Sequence, residues 1–189
     1  FARVLGEIGR GVFQITKGAS TSIEFIEELS VLSGRPVQVC PMLQDPGRPA
    51  DVFDCMDAYA AATARGRELY GQVTPFPEIM DFNLREPYPL ESLASWQPAM
   101  AASGDEDLMA VFRDLGFREQ VKAELKIAGA PFRFSNQWNT MTIQSKAPSE
   151  RGALDKRSIA EMAQAQDKHP LDCMLDLALS ERLETNFTV

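Results

Sequence analysis

The chain has a single histidine, His169, and three cysteines, Cys40, Cys55 and Cys173. These are the side chains that most often act as bases, nucleophiles or zinc ligands. His169 stands directly before Pro170, where a helix cap is expected, and no metal-ligand partner lies beside it in sequence. A cap therefore competes with a catalytic reading. The cysteines are odd in number and far apart, which suits neither a disulfide framework nor a paired zinc site. They read as buried reduced thiols in a reducing compartment. Cys40 falls near the carboxyl end of an apolar run, where barrel enzymes carry reactive groups, although a packing thiol is the competing reading. Phosphate-loop, dinucleotide and HExxH motifs do not occur in the sequence, and the glycines of GEIGRG lack the fingerprint spacing.

Three amides are more informative. Gln14 in VFQIT, Gln38 in VQVCPML and Gln72 in ELYGQVT each interrupt an apolar or β-prone run. A buried amide must find partners. The three either bond to one another inside a sheet, or Gln14 and Gln72 face a pocket where an amide orients a polar substrate. The carboxylates Glu24, Glu27, Glu28, Asp51, Asp54 and Asp57 fall on predicted helix faces and read as solvated charge.

The elements that must position these groups follow from periodicity. Phe1, Val4, Leu5 and Ile8 have the spacing of a helix already under way, closed by Gly9 and Gly11. Residues 12–16 read as a strand. Thr21 and Glu24 form a capping-box pair for a helix over 22–33, with Ile23, Ile26, Leu29 and Leu32 on one face. Residues 37–43 read as the next strand, 45–49 as a Pro- and Gly-rich loop, and Val52, Met56, Tyr59, Ala60 and Thr63 as a helical stripe ending at Gly66. A third strand is expected over 68–74. Strands alternating with helices through short connections predict neighbouring parallel strands with nearly continuous burial.

Between 75 and 103 the rhythm breaks. Five prolines lie there among Phe76, Phe82, Tyr88 and Trp96, the composition of an ordered irregular excursion. Helical signals resume with Leu108, Val111, Phe112 and Leu115, stop at Gly116, and restart with Phe117, Val121 and Leu125. Residues 138–144 alternate like a strand. After a polar loop, Ser158 and Glu161 form a second capping box, and Pro170 opens a helix that buries Leu171, Met174, Leu175 and Ala178.

The charge and length bound the class. Lys and Arg number 19 against 27 Asp and Glu, a net charge of −8 over 189 residues. That excludes general nucleic-acid binding, which needs clustered positive charge. No run approaches the ~20 apolar residues of a membrane span. The expectation is a soluble, cytoplasmic domain, and the helix under way at Phe1 and the β-prone run at 185–189 read as an internal segment of something longer.

In the order of its segments the chain resembles the D-aminoacylase (N-acyl-D-amino-acid deacylase) branch of the amidohydrolase superfamily. GRPVQVCPMLQ looks like a family barrel strand, LYGQVTPFP like the next strand and its turn, and DLGFREQVKAEL like the helix after the family's lid insertion. KRSIAEMAQAQDKHPLDCMLDLAL is similar to a two-helix signature and is the most specific match. The resemblance implies an α/β fold, namely part of a (β/α)8 TIM-like barrel with about three parallel β/α units and a helical or irregular insertion. It also implies a zinc-activated water that hydrolyses the linear amide of a small-molecule N-acyl amino acid. Gln14 and Pro41 stand where the family pattern has histidine ligands, so no metal ligand is assigned here and the catalytic groups are expected outside 1–189. The candidate pocket comprises Gln14, Cys40, Gln72, Tyr88 and Trp96, with 75–103 as a cover over the carboxyl end of the sheet. A barrel that has lost its metal and serves as a binding or structural module, and a hydrolase of cyclic amides, are the rival readings.

Overall fold

Three tripeptides, FQI, VQV and LYG, each set a side chain with a polar group between an apolar residue and an apolar or small one, and they become three parallel strands side by side. The computed structural model describes residues 1–18, 21–44, 48–127, 134, 136–144 and 157–189. These divide into two units, Phe1–Glu78 and Ile79–Val189.

The first unit runs α1 (Ala2–Ile8), β1 (Phe13–Ile15), α2 (Ile23–Ser33), β2 (Val37–Val39), α3 (Asp51–Ala64) and β3 (Leu69–Gly71). The strands lie in the order β1-β2-β3 and are parallel, as the helical connections predict, with Gln14 opposite Gln38 and Gln38 opposite Tyr70. Ile26 and Leu29 of α2 and Tyr59 and Ala62 of α3 share one core with Val37, Val39 and Leu69. Both connecting helices therefore cover the same face. The other face holds Gln14, Gln38 and Tyr70, of which Gln14 and Tyr70 are exposed. The expected continuous burial is corrected here: a strand reads as buried throughout only when both faces are covered. The fold is α/β, and its parallel sheet is open at both edges, with no closed barrel among the described residues.

Several boundaries shift for local reasons. Ser22, not Thr21, caps α2, its hydroxyl accepting from the Phe25 N–H at 3.2 Å. Thr21 instead accepts from the Gly18 N–H. In α1 the expected apolar face is exposed at Phe1, Val4 and Ile8, and the helix meets α2 through Ala2 and Gly6. A Cβ on Gly6 would stand 3.0 Å from the carbonyl oxygens of Leu32 and Ser33, so only glycine permits that approach. Leu32 is correspondingly exposed. In α3 the inward stripe is Val52, Cys55, Tyr59 and Ala62, leaving Met56, Ala60 and Thr63 outside. The expected 45–49 loop lies outside the described residues at 45–47.

The second unit holds β4 (Asp81–Phe82), a 3-10 turn (Ala94–Trp96), α4 (Gln97–Met100), α5 (Asp105–Arg113), α6 (Leu115–Leu125), β5 (Thr142–Gln144), α7 (Ile159–Ala165), α8 (Pro170–Ser180) and β6 (Asn186–Thr188). Its strands form an antiparallel sheet in the order β4-β6-β5, and the run at 185–189 supplies the central strand. Gly116 does not stop a helix. Asp114 ends α5 and caps α6, accepting from the Phe117 N–H at 2.7 Å, and Leu115 turns outward. The polar loop before Ser158 lies outside the described residues.

Two sequence expectations are met in atomic detail. The Ser158 hydroxyl and the Glu161 carboxylate exchange both bonds of a capping box. His169 Nδ1 accepts from the Leu171 N–H at 3.1 Å, with Pro170 at the first helical position of α8. α6 and α8 are then joined by charge. Buried Arg118 reaches Asp172 (3.3 Å) and Asp176 (2.8 Å), and Lys122 reaches Asp172 at 2.6 Å. Burial tends to raise the Asp176 carboxyl, and bonds from Lys168 and Arg118 outweigh it, holding the group below the usual carboxylate range.

Burial holds the His169 imidazole below its ordinary value, and the Lys122 ammonium acts in the same direction while Asp172 opposes it. A histidine with a lowered native value binds its proton more readily when unfolded. Its contribution is therefore present above about 6.5, the ordinary value, and is lost as pH falls from there through the lower native value. Protonation at Nδ1 would also abolish the cap. His169→Asn keeps a capping oxygen without the titration. Urea midpoints across pH 5 to 8 (roughly bracketing the ordinary value) should show the wild type losing stability relative to the variant as pH falls. Parallel profiles for the two proteins would contradict this role.

Candidate functional site

In parallel α/β sheets, binding groups gather at the carboxyl ends of the strands, because the loops there are free of the helix-to-strand packing that fixes the other end. In the first unit that edge carries Lys17 beyond β1, Cys40 and Pro41 beyond β2, and Gln72 beyond β3. The backbone stays paired past the named strands: the Cys40 N–H donates to the Ile15 carbonyl at 3.0 Å and the Gln72 N–H to the Val39 carbonyl at 2.9 Å. Cys40 and Gln72 are thus held by the sheet rather than by free loops.

The amide expectation is resolved in a mixed form. Gln38 Nε2 donates to Gln72 Oε1 at 2.6 Å, so two of the three amides do bond to each other. They do so at the open face, where Gln72 is exposed. That bond uses one N–H of Gln38 and the carbonyl of Gln72, so the Gln38 carbonyl and the Gln72 NH2, with its two N–H donors, keep acceptor and donor capacity. That combination matches a ligand amide, which offers one of each. Gln14 sits next to Gln38 in register and lines an apolar groove of about 420 Å³ with Val4, Ile8 and Phe13. Cys40 is half-buried, and the Cys40–Pro41 peptide bond is cis.

Sequence reasoning missed one contact. Lys17 Nζ donates to Cys55 Sγ at 2.7 Å, across 38 positions of sequence. Cys55 is the fifth residue of α3 and half-buried. No local motif could have announced this pair, since it depends on α3 crossing beside the end of β1.

Tyr88 and Trp96 belong to the second unit. Trp96 is fully buried, packed against Phe112 and Phe117 at ring-centre distances of 5.6 and 5.4 Å. One side of its ring borders a cavity of about 190 Å³ lined also by Leu84, Arg85 and Asp105. Tyr88 is exposed and lines a polar cleft of about 490 Å³ with Asp81, Arg85, Glu86 and Asn186. Arg85 stands between them as a structural hub. Its guanidinium meets Asp105 through two bonds of 3.0 and 2.9 Å, pairs with Glu184, and donates to the Leu183 and Arg182 carbonyls. Its hydrogen bond to Asp105, aided by its charge, holds that carboxyl below the usual range.

The zinc implied by the resemblance can be tested against the donors. Gln14 and Pro41 supply no imidazole, and His169, the chain's one histidine, uses Nδ1 as a helix cap in the second unit. Among the described residues no three His, Cys, Asp or Glu side chains converge as ligands would. The described residues therefore do not fit a zinc site. No family model matches the chain, and neither does any curated protein or solved structure.

The burial of Trp96 and exposure of Tyr88 predict opposite mutational costs. Trp96→Ala should lose about 3–5 kcal/mol, as for large buried aromatics. Tyr88→Ala should stay within about 1 kcal/mol, as for surface positions. Chemical denaturation reads both, and similar losses at the two sites would show that the second unit packs differently.

Proposed function

We propose that this chain is an amidohydrolase-like β/α protein whose parallel sheet recognises an amide-bearing small molecule of the N-acyl amino acid class. In this reading the chain serves hydrolysis of the linear amide C–N bond. The observation that carries it is the Gln38–Gln72 pair on the open face, beside the carboxyl ends of three parallel strands. Paired amides fix each other's rotamers and so offer the ligand an oriented acceptor and donor. The apolar groove beside Gln14 suits an acyl chain or an apolar side chain. The resemblance noted from sequence supplies the reaction class, while zinc does not fit these donors and no step is assigned to it.

A second reading, in which the same face binds an amide without cleaving it, is favoured by the absence of a ligand cluster among the described residues. Titration with N-acetyl-D-methionine, read by calorimetry and by release of the free amine, tests the amide recognition on which both readings rest. Binding is expected, and amine release by these residues alone is not. Gln72→Ala should weaken binding about threefold to tenfold, the equivalent of one net hydrogen bond. Absence of binding, or binding indifferent to the Gln38→Ala and Gln72→Ala changes, would remove the basis of the proposal. Amine release abolished by a chelator would contradict the metal-free account of these residues.

A further inference from the structure

The first unit contains a second chemical feature that amide recognition does not use. Lys17 follows β1 and is exposed; Cys55 lies one turn inside α3 and is half-buried; the ammonium nitrogen is 2.7 Å from the sulfur. Tyr59, one turn further along α3, is buried at 6% exposure, and its phenolic oxygen has no hydrogen-bond partner among the described residues. Leaving a hydroxyl buried and unpaired is costly, so such a group commonly marks a place where another acceptor or donor is met. Tyr59 also senses the sulfur: burial first, then Cys55, pushes its phenol up. A cation and a thiol thus meet at the carboxyl edge of a parallel sheet, with a buried hydroxyl one helical turn along α3 from the thiol.

We propose that Lys17 and Cys55 form a modification site at which the Cys55 sulfur takes one oxygen atom from a small hydroperoxide. The nucleophile in such chemistry is the thiolate. It attacks the terminal oxygen of the hydroperoxide, and the O–O bond breaks. Sulfur is oxidised by two electrons to the sulfenic acid S–OH, and the peroxide is reduced to an alcohol or, from hydrogen peroxide, to water. The departing oxygen takes its proton from the Lys17 ammonium, which regains one from solvent. Lys17 acts twice: its charge stabilises the oxyanion as it forms, and its N–H supplies the proton. The Tyr59 hydroxyl supplies the partner that holds the new S–OH oxygen. Cys40 and Cys173 lack this arrangement among the described residues. Cys173 is buried, and burial pushes its thiol up.

The test uses hydrogen peroxide as probe on the full chain, with a sulfenic-acid trapping reagent and mass spectrometry of each cysteine peptide. Cys55 should be trapped at least about tenfold faster than Cys40 within the same molecules, as for thiols placed beside a cation. Lys17→Met, at an exposed position, should bring Cys55 down to the Cys40 rate, and Lys17→Arg should retain more of the excess than Lys17→Met. Equal trapping of Cys55 and Cys40 in the wild type, or a Cys55 rate unchanged by Lys17→Met, would overturn the proposal. The comparison of two cysteines in one wild-type molecule needs no variant to fold.

Discussion

Two successive crossovers of one hand between neighbouring parallel strands must put both connecting helices on the same side of the sheet. In the first unit α2 and α3 obey this, and every inward side chain of β1, β2 and β3 meets them or one another. The two faces of the sheet thereby become unlike. One is a core of Val37, Val39, Leu69 and the helix residues Ile26, Tyr59 and Ala62. The other carries Gln14, Gln38 and Tyr70 in register. The exposure of the amide pair follows from that one-sided cover. Had the order of strands placed β3 between β1 and β2, a helix would have crossed to the second face and buried it.

The second unit is organised by different forces. Aromatic packing around Trp96 supplies a large part of its core, and each buried aromatic ring of this kind contributes on the order of 2–3 kcal/mol through burial alone. Charge then sets how its helices meet. Arg118 and Lys122, one turn apart on α6, face Asp172 and Asp176, one turn apart on α8. A matched spacing of this kind fixes helix register more than it adds stability, because the desolvation of buried ions offsets much of their attraction. The caps act similarly. Asp114, Ser158 and His169 end or begin helices where the chain must turn.

Much of this was legible in the residues. Pro170 with His169, and Ser158 with Glu161, are local signals, and local signals fix helix starts without tertiary help. The three strands and their parallel order followed from alternating elements. The faces did not follow so readily. Phe1, Val4 and Ile8 have the spacing of a buried stripe, yet the close packing of Ala2 and Gly6 on α2 turns that stripe outward. Gln14, Gln38 and Tyr70 carried the clue to a half-covered sheet, since period-two polarity marks an open face. The β4 pairing was hidden because two residues among prolines give no periodicity. The Lys17–Cys55 contact was hidden because its partners are distant in sequence.

The central claim, that the parallel sheet is covered on one face only, is tested most directly at two tyrosines of the first unit. Tyr70 lies on the open face at 55% exposure, and Tyr59 lies under the helices at 6%. Hydroxyl-radical footprinting of the folded chain compares them in a single sample. The account predicts ready labelling of Tyr70 and protection of Tyr59, with the difference vanishing in denaturant. Equal protection of both tyrosines in the folded chain would mean that a second layer covers the glutamine face, and would contradict the account.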